Sequence, residues 1–257
     1  YSSFIFSTRM TRIVRMLTVF FLLNLAATAQ TSSFRSGFAV LELFTSESDA
    51  NSPAGDAVFQ EVIREARKAK QPVIGLAFHV DYWNKGSWKD PFSRNAFTFR
   101  QENYSRAFPQ KELYTPQLIV NGRAQMTASS RDSVKAAIKK ALISSGDPGF
   151  RLQVDSVLRD TLFLTAITPK PGVNWVVRVA VTEDGLKSEV KAGPNNGKIL
   201  EHDAVVRLWY STGAKSKSLA VKVPLKGLKL NDRMRLVGLL QEKKTMKILG
   251  ASESGFD

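Results

Sequence analysis

The chain has 257 residues, 43% of them apolar, with 37 Lys and Arg against 23 Asp and Glu and a formal charge of +14. That length and apolar content suffice for a full hydrophobic core in one large domain or two smaller ones. The absence of cysteine excludes disulfides, thiol redox chemistry and cysteine-ligated metal.

The basic excess is dispersed over Lys68 and Lys70, Lys139 and Lys140, Lys215 and Lys217, and Lys243 and Lys244. No aromatic residues interleave with these lysines as on a nucleic-acid platform. Solvated basic faces are therefore expected, and no nucleic-acid partner.

MTRIVRMLTVFFLLNLAATAQ starts at Met10, with Arg12 and Arg15 ahead of an apolar stretch from Met16 to Ala29. Ala27-Thr28-Ala29 supplies small residues at signal-peptidase offsets, so residues 1–29 are read as a secretory signal peptide cleaved after Ala29. Residues 1–9 then lie upstream of the true start. The apolar stretch is shorter than the ~20 residues of a membrane span; an uncleaved anchor is the alternative. Removing Arg9, Arg12 and Arg15, with no acid among residues 1–29, takes +14 to +11. The expected destination is the periplasm or the exterior, with no membrane span after cleavage.

Residues 37–46, GFAVLELFTS, are apolar on both faces, as a central parallel strand should be. Asn51 or Ser52 can cap the next helix, with Pro53 in its first turn. That helix runs through DAVFQEVIREARKA, where Val58, Val62 and Ala66 recur at four-residue steps. PVIGLAFHV, residues 72–80, is a second buried strand, followed by the polar-aromatic loop DYWNKGSWKDPF. Residues 93–107 read as a helix, TPQLIVNGRAQM as a hairpin turning at Asn121-Gly122, and RDSVKAAIKKALISS as a helix behind Ser130.

Ser145-Gly146-Asp147-Pro148-Gly149 marks a boundary. Beyond it Trp175, Val177, Val179 and Val181, then Leu219, Val221, Val223 and Leu225, alternate at period two. The predicted architecture is α/β plus all-β: a thioredoxin-like domain over 37–146, from its β-α-β-α-β-β-α order, and a β-sandwich-like domain over 150–257.

FAVLELFTS, GLAFHVDYWNKGSWKDPF, YTPQLIVNGR and NNGKILEHDAVVRLW resemble the DUF1223 family of exported bacterial proteins with a thioredoxin-like domain, and the related Omp28-type proteins. The resemblance runs from Phe38 to the C-terminus. It implies a fold more firmly than a reaction. It also implies Cys-x-x-Cys-Pro-Pro-Ala-Asp after FTS, where this chain has Asp49-Ala50-Asn51-Ser52-Pro53-Ala54-Gly55-Asp56. Asp49 and Ser52 stand at the cysteine positions, Pro53 and Asp56 match, and Ala54 replaces the second proline. Asp49 keeps a negative charge near a helix N-terminus but cannot exchange electrons, so the family's thiol–disulfide role does not carry over. The resemblance further implies a cis proline at Thr115-Pro116, where an extended peptide or protein partner would dock; the alternative is a proline that serves the fold alone.

Other constellations carry two readings each. Glu42, buried in a strand beside Val40 and Phe44, is either a proton relay or one half of a structural pair. His79 and Asp81, two apart at a strand end, can join Asp49 in a metal or acid–base site, or be tied to structural partners. Tyr82, Trp83 and Trp88 form either a ligand-anchoring loop or a packed lid. Ser52, His79 and Asp81 lack the Gly-x-Ser-x-Gly elbow of a hydrolase. In the second half, Arg207 and Asp203 read as an interdomain or turn salt bridge. No Gly-rich phosphate cradle opens the Asp49 loop, and no cofactor is implied. The functional expectation is an exported, non-catalytic binding or scaffold protein; the alternatives are an enzyme using Asp49, His79 and Asp81, or a degenerate thiol–disulfide oxidoreductase relative.

Overall fold

The computed structural model describes residues 37–145, 149–169 and 171–256. The expected signal peptide and the core of the boundary, Gly146 to Pro148, lie outside these residues. The architecture is mixed α/β and is dominated by one large sheet with few helices.

The first half places β1 (Ala39–Thr45) between β2 (Val73–His79), parallel to it, and β3 (Gln117–Val120), antiparallel. The hairpin strand β4 (Ala124–Thr127) forms the sheet edge. Every residue of β1 and β2 is buried, as their unbroken apolar runs require. Asn121 and Gly122 take the left-handed conformation that turns the hairpin. The Asn121 side chain also bonds Val40 N–H and the Phe38 carbonyl, pinning the turn to β1.

Helix α1 (Ser52–Lys68) buries Val58, Phe59, Val62, Ile63 and Ala66 against Leu41 and Leu43 of β1. Helix α3 (Arg131–Ser144) adds Val134 and Ile138 to the same core. Helix α2 (Asn95–Ala107) instead contributes Phe97 and Tyr104 to a core containing Val40 and Phe44 of β1. Period-two alternation along β1 thus feeds both cores.

In the second half, β7 (Trp175–Glu183), β10 (Val205–Gly213), β12 (Met234–Glu242) and β13 (Ile248–Gly255) are antiparallel neighbours in the same large sheet. β10 lies beside β2, with Val205 opposite Ala77 and Ala77 N–H bonded to the Ala204 carbonyl. The strand order is therefore β13-β12-β7-β10-β2-β1-β3-β4, one continuous sheet through both halves. A three-stranded sheet of β5 (Arg151–Leu158), β6 (Thr161–Ile167) and β11 (Ser218–Pro224) encloses a third core with Val177, Val179, Leu236 and Leu240. β11 keeps the alternation read from its sequence, whereas β7 is buried at nearly every position. It is covered on one face by that core and on the other by the core containing Phe97 and Tyr104. The hairpin of β8 (Leu186–Glu189) and β9 (Ile199–His202) stands apart as its own small sheet.

Candidate functional site

The C-terminal ends of β1 and β2, the N-terminus of α1 and the β8–β9 hairpin converge on one polar nest. Asn51 precedes the helix without a side-chain cap bond, and a proline occupies its first turn. Ser52 is already helical. Its hydroxyl accepts from Ser46 N–H at 3.2 Å and donates to Asp49 Oδ2 at 2.9 Å. Asp49 Oδ2 also accepts from Thr115 Oγ1 at 2.6 Å, and Oδ1 from Asn51 N–H. The Thr115–Pro116 peptide is cis. Gly55 faces Pro116 so closely that a Cβ there would fall 2.5 Å from the proline ring. Asp49, Ser52, Thr115 and Pro116 are all buried and form a closed latch.

Beneath the latch lie the only two histidines of the chain, His79 and His202, with rings 4.8 Å apart and nearly perpendicular. His79 Nδ1 meets Asp90 Oδ2 at 2.7 Å, and Asp90 also accepts from Glu47 and Phe92 N–H groups. His202 Nε2 meets Glu47 Oε1 at 3.0 Å, and its Nδ1 lies 3.6 Å from Asp56 Oδ2. Asp56 accepts from Thr45 Oγ1 at 2.6 Å. Burial pushes the Asp56 carboxyl above its ordinary pKa, against the lowering pull of His202 and His79. Burial opposes charging of His79, but Asp90, with Asp56 and Glu47, outweighs it and the imidazole pKa is raised. Burial likewise opposes ionisation of Asp90, and His79 reverses this so that its pKa is lowered. Each partner thus favours the charged form of the other.

The hairpin closes the nest from the other half of the chain. Asn195 Nδ2 donates to the carbonyls of both Glu47 and Asp49, at 2.9 Å each. Ser188 Oγ and Trp88 Nε1 donate to Glu47 Oε2. Asp90 lies in the aromatic loop and Asn195 in the NNGKILEHD stretch, whereas nothing in the sequence around Glu47 and Ser188 marks them. For Ser188 and Asn195 the partners lie more than 140 residues away, and a local pattern carries no such signal.

The other expected residues fall elsewhere. Asp81 does not join His79 or Asp49; its carboxylate accepts from Thr98 Oγ1 of α2. Strand β2 ends at His79, so the period-two argument stops before Asp81. Among the described residues no group of three or more His, Asp or Glu is arranged to hold a metal. Ser52 has no bond to His79, and both of its neighbouring partners are already engaged. Glu42 is fully buried and bound by Arg100 and Tyr104, the paired arrangement rather than a relay beneath the loop. Arg207 pairs with Glu183 and not with Asp203, which instead binds Arg64 of α1 at 2.7 Å. Asp203 thereby joins the two halves, because the end of the β8–β9 hairpin lies against α1 rather than back on Arg207.

Beside the latch is a groove of about 540 Å³ lined by Tyr82, Trp83, Lys85, Trp88 and the Gly193-Pro194 turn. Trp83 Nε1 donates to Thr115 Oγ1 at 2.8 Å, covering the Thr115–Pro116 stretch. Burial raises the Tyr82 phenol to about 12. Strand β3 following Pro116 is interior to the sheet, with β4 at the edge.

A crystal structure of a protein from Agrobacterium tumefaciens is similar at 24% identity and TM-score 0.62, over 85% of this chain and 94% of that one. HBP35 of Porphyromonas gingivalis is similar at 15% identity and TM-score 0.59, over 88% of this chain and 77% of that one. A domain of the outer membrane lipoprotein Omp28 from Porphyromonas gingivalis aligns at 13% identity over 41% of this chain and 84% of that one, with TM-score 0.21. Among curated proteins no match is found. At these identities the first two likenesses speak for the fold. No helix among the described residues is long and apolar enough to cross a membrane. The model of the family described as "Protein of unknown function (DUF1223)" matches residues 40–241, and the chain belongs to that family.

Proposed function

We propose that the chain is an exported, non-catalytic binding protein whose recognition surface is the groove of Tyr82, Trp83 and Trp88. In this reading residues 1–29 are a removed export signal. Residues 37–146 are a thioredoxin-like unit, and residues 150–257 a β-sandwich-like unit fused to it. The observation that carries the reading is a contrast in exposure. Ser52 and His79 are 0% exposed and Asp49 2%, each held by hydrogen bonds, whereas Trp83 is 40% exposed over an open groove. A nucleophile or acid–base pair must reach its substrate, and these side chains are enclosed among buried partners such as Thr115 and Asp90. Aromatic side chains over a groove supply large contact area at low entropic cost.

The ligand class is an extended peptide. The indole of Trp83 is the link between the groove and Thr115, so a peptide that moves it gains the backbone beside Pro116. The test is fluorescence anisotropy with labelled extended peptides rich in apolar residues, on the full chain. Saturable binding is expected, weakened at least tenfold by Trp83→Ala and partly restored by Trp83→Phe. Equal binding by wild type and Trp83→Ala, or no binding by wild type, overturns the proposal.

A further inference from the structure

On another part of the surface lies a cavity of about 500 Å³ that shares no lining residue with the aromatic groove. It is walled by Arg94, Arg207, Trp209, Tyr210, Lys226 and the apolar side chains around Leu225. Arg207 sits where the β10–β7 register slips between Val206 and Leu208, a bulge that re-aims a side chain. Its guanidinium shares Glu183 with Arg233, so one carboxylate serves two cations. Arg94 stands immediately before α2, fixed by its N–H to the His79 carbonyl at 3.1 Å. Among the described residues its guanidinium has no carboxylate partner. It lies 6.0 Å from the centre of the Phe97 ring, and burial, with the field of Arg207 added, lowers its pKa. Lys226, in the left-handed conformation, brings a third cation to the rim. With Glu183 shared between Arg207 and Arg233 and no carboxylate on Arg94, the wall keeps a positive excess; self-repulsion of that kind destabilises a fold, and an anion seated between Arg94 and Arg207 relieves it. The floor is apolar, with Leu208, Val223 and Leu225 buried.

We infer that this cavity binds a small organic carboxylate with an apolar body, its carboxylate paired with Arg94 and Arg207 and its body lying on Trp209 and the Leu225 side. Arginine is suited to the head group because its planar fork matches a carboxylate bidentately, and the volume lies in the usual range for small-molecule pockets.

The experiment is isothermal titration calorimetry of the full chain with 1-naphthoate, with the neutral 1-naphthalenemethanol and with inorganic phosphate. The expected result is saturable binding of 1-naphthoate at one site per chain, with the alcohol and phosphate at least tenfold weaker. Arg94→Gln and Lys226→Glu, both at exposed positions, should each weaken 1-naphthoate binding while circular dichroism stays unchanged. The proposal fails if wild type does not bind 1-naphthoate, if the alcohol or phosphate binds as tightly, or if neither variant alters the affinity. Should one variant fail to fold, the other decides by the same comparison.

Discussion

Asp49 Oδ2 accepts a hydrogen bond from Thr115 Oγ1 at 2.6 Å, joining the loop after β1 to the residue before Pro116. The same oxygen takes the Ser52 hydroxyl, so a single carboxylate organises the whole junction. The first turn of α1 and the residue before Pro116 are attached to each other through it.

Replacing Asp49 by Ala should therefore act on stability. Two buried hydroxyls lose their acceptor, and leaving buried polar groups unsatisfied costs on the order of 1–3 kcal/mol each. Urea denaturation should show a lower midpoint for Asp49→Ala, with Asp49→Asn intermediate. An unchanged midpoint would mean that water replaces the carboxylate without loss.

The double variant Asp49→Cys/Ser52→Cys should close a disulfide on oxidation, because these two side chains already meet across the first turn of α1. At a helix N-terminus the thiolate is favoured, so alkylation of the reduced form should persist below the ordinary thiol pKa of about 8.5. Thiols that stay free after oxidation would show that the latch holds the two positions in the wrong geometry.

The Asp90–His79 pair predicts a pH dependence. The His79 pKa is raised above its ordinary 6.5, so its contribution is complete below 6.5 and fades as pH climbs through the folded value. The Asp90 pKa is lowered below 3.8, so its contribution is complete above 3.8 and fades as pH falls through the folded value. The Tm gap between wild type and Asp90→Asn should be widest between pH 3.8 and 6.5 and narrow on the alkaline side. A gap independent of pH would remove the proton from this pair.

Glu42 and Arg100 are both buried, and the guanidinium lies 4.1 Å from the centre of the Trp209 ring. Removing one partner of such a pair costs about 3–5 kcal/mol, whereas replacing both with apolar residues is often close to neutral. Glu42→Gln should therefore destabilise strongly in urea, and Glu42→Leu combined with Arg100→Met should recover most of the loss. A double variant as unstable as the single one would locate the effect in packing around Trp209 instead.

The local patterns were read correctly where one element decides its own shape. The apolar runs of β1 and β2, the four-residue steps of α1 and the Asn121-Gly122 turn all appear where their residues place them. What sequence could not carry is the meeting of distant segments. The β2–β10 seam rests on Val205 opposite Ala77, too brief a ladder to leave a pattern. Asp81 was expected beside His79 because period two was extended past the strand's last residue. Glu47 stood unnoticed three residues before Ala50, since its meaning comes from Trp88, Ser188 and His202. Within the aromatic loop Trp88 is tied inward to Glu47, while Trp83 borders the groove.

The Ala77–Val205 seam also sets a condition on biosynthesis. Until β10 has left the ribosome, one flank of β2 has no neighbour, and that strand is apolar from Val73 to Phe78. An unpaired greasy edge invites strands from other molecules. That flank stays open for as long as it takes to synthesise the second half.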